Sequence, residues 1–525
     1  MDSASSTPSP VTPDIAALMA RLEESEQRAR LVENELLLSK MRIVQLEERL
    51  RLLRIQKYGP RGENLSAAQL ALFEQEISAT LDEVAAEAAR GAVPATPSAQ
   101  RKHRKPHPGR QTLPADLPRV EKVIVCPPAQ CTCGNCGAET AVIGYEVSER
   151  LDVEPAKFFV TVTRREKRAC RNCKQGGVAT APVAAEIVEK GLASNRVVIN
   201  AVVAKYCDHL PLYRQCAMLS RDAGVEVSRV TLDGWVMRVG YLLSAIVMAM
   251  RKEVFRGSYI QADETTVMVQ RPEEKKGRNH QAYLWQFGNP GGSVVFAFHL
   301  GRGGEAAESF LGGYKGILQT DGYIGYHSAS KDAMVHAGCW AHVRRYFVDA
   351  VKVNPLDAVA AEFVSRIDAL FAVEREAVSA NMTLEERHGL RREKSAPIVV
   401  AIHARLLAVK ETVLPKSKIG EGIGYALAQW PRMIVFLDHA QIELSNNLAE
   451  NSMRPVAVGR KNWLHVGSVD AGPRVAAILS VVETCRRLGV PVREYLLDVL
   501  PGLADRKAAE MAALTPMAWK LHRQG

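Results

Sequence analysis

A narrow apolar stripe runs along the N-terminal part of the chain. Twelve positions between Ile15 and Leu53 alternate at spacings of three and four residues, and ten of them are apolar. This spacing keeps one stripe facing a partner helix, as in a coiled coil; the alternative is a helix packed against its own domain. A long helix with a narrow stripe needs a partner, so we predict a coiled-coil and helical region at residues 14–90 that makes the chain a homo-oligomer. A disordered Ser/Pro-rich tail at residues 1–13 precedes it.

Apolar runs rich in β-branched residues occupy the centre of the chain. They predict three hairpin-linked strands, a crossover helix and two further strands, in the segments GSYIQADETTVMVQ, QAYLWQFGN, GSVVFAFHL, EAAESFLGGY, GILQTDGYIGY and DAMVHAGC. This order is the opening of a ribonuclease H-like α/β sheet, in which the first and fourth strands are neighbours. We assign residues 256–353 and 437–470 to this domain. Residues 354–436, rich in Ala, Leu, Glu and Arg, form a helical insertion that must pack outside the sheet.

A run of helices precedes the sheet at residues 183–255. Two helical segments are followed by a third for which Ser228 is a plausible N-cap, and the short connections predict helix-turn-helix geometry. In this hypothesis Arg229 and Thr231 face base edges or phosphates of DNA. The alternative is a three-helix bundle that serves only as a core. Residues 471–525 are predicted to form a C-terminal helical tail.

Three acidic residues give the predicted sheet its candidate chemistry. Asp263 and Asp321 lie in the first and fourth strands, and Glu450 lies in a helical segment four residues before Arg454. A single aspartate at a strand end is usually a turn residue. Two carboxylates side by side repel each other unless a divalent cation lies between them, and Mg²⁺ prefers oxygen ligands. We therefore predict that Asp263, Asp321 and Glu450 are catalytic ligands of Mg²⁺ or Mn²⁺.

Cysteine spacing predicts a second metal. Two C-x-x-C turns, Cys133/Cys136 and Cys170/Cys173, are typical of a tetrahedral four-cysteine Zn²⁺ site that stabilises a small domain at residues 121–182. Cys126 and Cys131 remain alternative ligands, and a redox-active pair is the alternative chemistry.

Composition predicts the kind of partner from the net charge and argues against a membrane-spanning segment. The chain has 525 residues, which indicates several domains, and a net charge of +10, which fits a polyanionic partner. A basic linker at residues 91–120 contains RKHRKPHPGR, a pattern typical of salt-dependent phosphate binding; a merely solubilising linker is the alternative. There is no signal peptide and no apolar run of 18 residues, so we expect a cytoplasmic protein.

Several motifs together carry a family resemblance. They are Asp263-Glu264-Thr265, Gln319-Thr320-Asp321-Gly322-Tyr323, Cys339-Trp340-Ala341-His342-Val343-Arg344-Arg345, Asn446-Asn447-Leu448-Ala449-Glu450, Arg454-Pro455 and Gly459-Arg460-Lys461-Asn462-Trp463. Over nearly its whole length the chain resembles the insertion sequence 66 family of DDE-type transposases. Asn451 departs from the family pattern, in which an acidic or basic residue is more usual, but the acidic triad is intact.

The resemblance implies a DNA transposase with Asp263, Asp321 and Glu450 as its catalytic triad. Its partners would be double-stranded DNA, at the element's terminal inverted repeats and at the target, and possible accessory proteins of the element; the protein would associate with the nucleoid. Mg²⁺-dependent hydrolysis of a phosphodiester would be followed by strand transfer. Five cationic residues are predicted to contact nucleic acid: Arg344, Arg345, Arg454, Arg460 and Lys461. The alternatives are a zinc-containing DNA-binding regulator and a nuclease that cuts without joining.

Overall fold

The computed structural model describes residues 158–169, 178–270, 279–326 and 334–524, with a few helical residues between positions 25 and 43. The rest of the predicted coiled coil, the basic linker and the zinc-ligand candidates Cys133, Cys136, Cys170 and Cys173 lie outside the described residues.

Seven strands and fourteen α-helices lie in the described part of residues 167–524. The strands are β1 Lys167–Ala169, β2 Val178–Thr180, β3 Tyr259–Val269, β4 His280–Gly288, β5 Val294–His299, β6 Ile317–Gln319 and β7 Val335–Ala337. The first seven helices are α1 Asn195–Tyr206, α2 Leu212–Ala223, α3 Arg229–Arg256, α4 Gly304–Leu311, α5 Trp340–Val353, α6 Ala358–Ser379 and α7 Leu384–Leu390. The others are α8 Ala396–Lys410, α9 Lys418–Ala428, α10 Trp430–Met433, α11 Asn447–Trp463, α12 Ala471–Leu488, α13 Val492–Val499 and α14 Pro516–Gln524. A short π-helical turn, Arg391–Ser395, joins α7 to α8.

The central sheet has five strands in the order β5-β4-β3-β6-β7. β3, β4 and β5 form an antiparallel meander, whereas β6 and β7 run parallel to β3. α4 makes the crossover between β5 and β6, as a parallel connection requires. The first and fourth strands predicted from the sequence, β3 and β6, are therefore neighbours.

Two apolar cores lie against this sheet. One contains the buried side chains of α1, α3, β4, β5 and α12. The other packs Tyr259, Ile317 and Ala337 of the sheet against α5, α6, α8 and α9. The helices of residues 358–433 accordingly extend the fold on the side of β6 and β7, outside the sheet.

The segments predicted as a DNA-binding domain and as a C-terminal tail are part of the first core. α12 is buried along most of its length and packs on β5 and α3. Its contact with α3 is very close, because a Cβ at Gly240 would lie 2.6 Å from the carbonyl oxygen of Arg474. Apolar helices of this kind look alike in a sequence whether they cover a sheet or form a separate bundle, so the pattern did not reveal this shared core.

α3 is the one helix among the described residues that is long and apolar enough to span a membrane by length and composition. Half of its most apolar window is buried inside the fold. Its side chains at Leu232, Val236, Val239 and Leu243 lie in the core, which accounts for its apolar composition without a membrane.

A buried ion cluster fastens the helical segment to the chain leading into α11. The guanidinium of Arg391, which is fully buried, donates hydrogen bonds of 2.7 and 2.9 Å to the two carboxylate oxygens of Glu374. It also donates to the carbonyl oxygens of Phe436 and Ile442, at 2.8 and 2.7 Å. Arg387 bridges Glu374 to Glu443. α6, α7 and the segment that precedes α11 are thereby held together.

Candidate active site

The strand register places Asp263 and Asp321 at equivalent positions. Gln261 of β3 pairs with Gln319 of the parallel strand β6, and each aspartate follows two residues later, Asp263 within β3 and Asp321 just after β6 ends. Residues at the same level of parallel neighbours project to the same face of the sheet. The repeated Gln-x-Asp sequence therefore brings the two carboxylates to one place, where β6 has ended.

A tight turn holds Asp321 after the end of β6. Its Oδ1 accepts a hydrogen bond of 2.9 Å from the backbone N–H of Tyr323, and the hydroxyl of Tyr425 on α9 donates to its carbonyl oxygen. Gly322 has a φ of +92°, and a Cβ there would meet the side chain of Gln429. A glycine is required at this position, since the left-handed backbone and the close approach both exclude a side chain.

α11 carries Glu450 to the two aspartates. Asn446 precedes this helix, is fully buried, and donates from Nδ2 to the carbonyl oxygen of Ala262 at 2.9 Å. Near the other end of the helix, the Nη1 atom of Arg460 donates to the hydroxyls of Thr265 and Thr266 and to the carbonyl oxygen of Thr266. Both ends of α11 are therefore fixed to β3, and Glu450 lies in its first turn, where the helix dipole favours a carboxylate.

Negative charge accumulates around Asp263. Burial, and then the nearby carboxylates of Glu450, Glu264 and Asp321, raise the pKa of Asp263 well above its usual range. Both carboxylate oxygens of Glu264 already accept hydrogen bonds, because Arg302 donates to its Oε1 at 2.7 Å and Tyr326 donates to its Oε2 at 2.7 Å. Asp263, Asp321 and Glu450 thus form an acidic cluster, in which Arg345 pairs with Glu450 but no cationic side chain contributes to the pKa of Asp263.

The raised pKa of Asp263, caused by burial first and by the neighbouring carboxylates second, predicts a pH dependence of stability in buffer free of divalent cations. A carboxyl whose pKa is raised in the folded state binds more protons there than in the unfolded state, so stability falls as the pH rises above about 4. Asp263→Asn should flatten this loss and make the cation-free protein more stable than wild type at pH 8. Urea unfolding followed by tryptophan fluorescence at pH 5 and pH 8 measures both slopes. If the stability of wild type and of Asp263→Asn changes equally between pH 5 and pH 8, the folded state does not raise the pKa of Asp263.

The donor set fits a hard divalent cation. Asp263, Asp321 and Glu450 offer carboxylate oxygens alone, the ligands that Mg²⁺ and Mn²⁺ prefer. Within the described part of the chain, Glu450 Oε1 is buried and has no hydrogen-bond partner, so one oxygen of the cluster remains available for an ion. Burial, followed by the charges of Glu450, Glu264 and Asp321, raises the pKa of Asp263, and a bound cation would offset this effect.

A buried network of polar side chains, which was not predicted from the sequence, lies in β3 and β6 two residues before the aspartates. Gln319 donates from Nε2 to the carbonyl oxygens of Gly338 and Glu443, at 2.8 and 2.7 Å. Its Oε1 accepts from Gln261 and from the hydroxyl of Tyr259. The network links β3, β6, the start of α5 and the segment before α11. Gln261 and Gln319, polar residues inside otherwise apolar strands, could have indicated this network from the sequence.

The predicted nucleic-acid contacts lie in different surroundings. Arg344 is largely buried and paired with Asp368 of α6, Arg460 is bonded to β3, and Arg345 is half exposed and donates to Glu450 Oε2 at 3.2 Å. Arg454 is partly buried and Lys461 is exposed on α11. Arg344, Arg345 and Arg460 therefore pair with protein groups in the free protein, and the contacts of all five residues with phosphate stay a prediction.

The first turn of α3 is exposed, although the rest of this helix is largely core. Arg229 and Thr231 are both accessible. Ser228 is the N-cap, as predicted, and its side chain accepts a hydrogen bond from the backbone N–H of Thr231 at 3.1 Å. Trp463, the last residue of α11, is partly buried and lines a cavity of about 460 Å³ with Lys205 and Arg474.

Comparison with known proteins identifies relatives over most of the chain. Residues 190–474 match the family model described as "Transposase IS66 family", and residues 130–174 match "zinc-finger binding domain of transposase IS66". Residues 45–121 match "Transposase C of IS166 homeodomain". The uncharacterized proteins y4qI and y4hP of Sinorhizobium fredii (strain NBRC 101917 / NGR234) are 34% and 31% identical. These alignments cover 96% and 91% of this chain, and 92% and 89% of the relatives.

Proposed function

The chain belongs to the IS66 transposase family, and from this membership we propose that it binds the terminal inverted repeats of an insertion sequence and catalyses DNA cutting and strand transfer. The observation that supports this proposal most is the convergence of Asp263, Asp321 and Glu450 from β3, the end of β6 and α11. Three acids separated by 58 and 129 residues in the sequence meet at one end of the sheet.

The sheet order supports a ribonuclease H-like catalytic domain. Three antiparallel strands followed by two strands parallel to the first, with a helix crossing between them, is the arrangement predicted for such a fold. The helical segment at residues 354–436 enters the chain between the second and third acids. In this proposal it is an insertion that holds the last acid in position through Arg391 and the segment before α11.

Asp263, Asp321 and Glu450 would hold divalent cations. When bound, Mg²⁺ supplies Lewis-acid activation of a water or hydroxyl group and stabilises the leaving oxygen of a phosphodiester. The protein positions these acids: β3 and β6 set two of them at one level, and Asn446 and Arg460 fix the helix that carries the third. Arg345 restrains Glu450 from the solvent side and lies where a phosphate can approach it.

DNA binding in this proposal comes from several parts of the chain. The zinc-finger match contains Cys133, Cys136, Cys170 and Cys173, which supports Zn²⁺ at these residues. The match described as a homeodomain supports a DNA-binding role for residues 45–121, which overlap the predicted coiled coil and basic linker. The exposed first turn of α3 is a further candidate contact. Self-association through residues 14–90 would bring two DNA ends together in the cytoplasm, near the nucleoid.

An assay with DNA bearing the element's end tests the proposed activity. The full chain is incubated with this DNA, a target plasmid and Mg²⁺, and the products are separated on a denaturing gel. Cut ends and joined end–target molecules are expected. Cut ends without joining would replace the proposal by a nuclease, and binding without any product would replace it by a DNA-binding regulator.

Removal of zinc should weaken DNA binding. A four-cysteine knuckle that loses its metal loses the fold that the metal supports, so we expect at least a tenfold loss of affinity for end DNA after treatment with a strong chelator. Added Zn²⁺ should restore the affinity. Cys133→Ser should reproduce the loss, whereas Cys207→Ser, a cysteine in the helical region, serves as the control. Undiminished binding by the chelated protein and by Cys133→Ser would contradict a role for zinc in DNA recognition.

A further inference from the structure

Cys339, His342 and Glu450 form a compact cluster of three different ligand types beside the acidic cluster. One ligand atom from each, a sulfur, an imidazole nitrogen and a carboxylate oxygen, lies within 4.8 Å of the other two. His342 Nδ1 lies 3.7 Å from Glu450 Oε1, which is too far for a hydrogen bond. Within the described residues both atoms are buried and lack a hydrogen-bond partner. Two unsatisfied polar atoms facing each other are costly unless something binds between them.

The local structure prepares this cluster for a ligand. Cys339 is the N-cap residue of α5 and His342 lies in its first turn, so the C-x-x-H spacing puts sulfur and imidazole on one side of the helix end. Glu450 approaches from the first turn of α11. Two helix N-termini therefore meet at this cluster.

The positions of all three ligands are constrained by the backbone. The N–H of Asn446 donates to Cys339 Sγ at 3.2 Å, and the N–H of Trp340 donates to the carbonyl oxygen of Leu444 at 2.8 Å. The start of α5 and the start of α11 are thus bonded directly to each other. Cys339 is buried, but the side chains of His342 and Glu450 are 19% and 29% exposed, which leaves an ion a route into the cluster.

The chemistry of the donors distinguishes this cluster from the carboxylate site. Thiolate and imidazole are ligands for Zn²⁺ and related transition metals, whereas Mg²⁺ selects oxygen. Three protein ligands with a free fourth position are the arrangement of an open zinc site. Glu450 belongs to both groups of ligands, so an ion held by Cys339 and His342 would compete for the carboxylate that the acidic cluster needs.

We propose that Cys339, His342 and Glu450 form a second binding site for Zn²⁺ or a similar transition metal, separate from the zinc finger. Occupation of this site withdraws Glu450 from Asp263 and Asp321 and slows DNA cutting. The existence of the site does not depend on the proposed transposase activity; its inhibitory effect does.

Metal stoichiometry of the full-length protein tests the site itself. Wild type, Cys339→Ser, His342→Ala and the control Cys485→Ser, which removes another buried cysteine on α12, are equilibrated with Zn²⁺, dialysed, and analysed for bound metal. Wild type and the control should hold one more zinc per chain than the other two variants, or hold that ion at least about tenfold more tightly. Circular dichroism of each variant verifies folding, and His342→Ala, which alters a partly exposed side chain, tests the site if Cys339→Ser does not fold. Equal stoichiometry and affinity in all four proteins would overturn the proposal.

A second measurement tests the competition. DNA cutting in Mg²⁺ is titrated with Zn²⁺, and each protein is compared with its own rate without zinc. Wild type and Cys485→Ser should be inhibited at zinc concentrations about tenfold lower than those that inhibit His342→Ala. Identical inhibition of the variants would overturn the competition with Glu450. Extra zinc bound by a wild-type chain that never cuts DNA would support the site and remove the proposed function, so the two failures are distinguishable.

Discussion

Asp263→Asn is expected to lower the rate of DNA cutting by about a thousandfold or more, with little change in the affinity for end DNA. Asp263 is buried, and Glu450 and Asp321 are both close enough to raise its pKa further. An asparagine has nearly the same shape, but it brings one neutral oxygen in place of a negative carboxylate. The cation site would lose one of its negative charges, while the surfaces proposed to bind DNA would be unchanged.

Single-turnover cutting of an end-bearing oligonucleotide measures this effect, and a gel-shift titration with the same DNA measures binding. Asp438→Asn is the matched control, because it removes the same charge from a largely exposed position. Asp321→Asn and Glu450→Gln should resemble Asp263→Asn. Cutting by Asp263→Asn at the wild-type rate would remove the acid from the proposed triad.

Glu374→Ala is expected to lower the free energy of unfolding by about 3–5 kcal/mol. The carboxylate of Glu374 is the counter-charge of Arg391, whose guanidinium is fully buried among α6, the π-helical turn and the chain before α11. Removal of this carboxylate leaves a buried positive charge with only carbonyl partners. The same change frees Arg387 from one of its two acids.

Urea unfolding of the purified full chain measures this loss, and Glu376→Ala provides the control. Glu376 lies two residues away on the same helix and pairs with Lys394 on the surface, where an ion pair is worth about 1 kcal/mol or less. A loss for Glu374→Ala no larger than that for Glu376→Ala would show that Arg391 is stabilised by its carbonyl partners alone.

The pH dependence of the Glu374 contribution has the opposite sign to that of Asp263. Burial alone would raise the pKa of Glu374, but the hydrogen bonds and charges of Arg391 and Arg387 outweigh it and hold the pKa below its usual range. A lowered folded-state pKa means that the stabilisation is present above the unfolded value of about 4.3 and is lost as the pH falls below it. The cluster should therefore loosen in acid, and with it the segment that leads to Glu450.

Local pattern was sufficient to predict much of the fold. The three hairpin-linked strands, the crossover helix and the two further strands predicted from apolar runs are present as β3, β4, β5, α4, β6 and β7. The pairing of β3 with β6 followed from the order of the elements. The site acids could be proposed because each interrupts an apolar strand or begins a helix with a charge.

Long-range contacts were not visible in the sequence. Asn446 bonds to β3 across 184 residues, and Arg460 across 194, so nothing in the local pattern distinguishes a bracing arginine from one that binds phosphate. The burial of α12 against β5 and α3 depends on the same kind of contact. The approach of Cys339 and His342 to Glu450 likewise arises only when the starts of α5 and α11 are brought together.

Crystals of the full chain soaked in Mn²⁺ would test the central claim most directly, through an anomalous difference map that locates each ion. The expected result is manganese bound by the carboxylates of Asp263, Asp321 and Glu450, and its loss from crystals of Asp263→Asn. Absence of an ion at these three carboxylates under conditions in which the protein cuts DNA would contradict it.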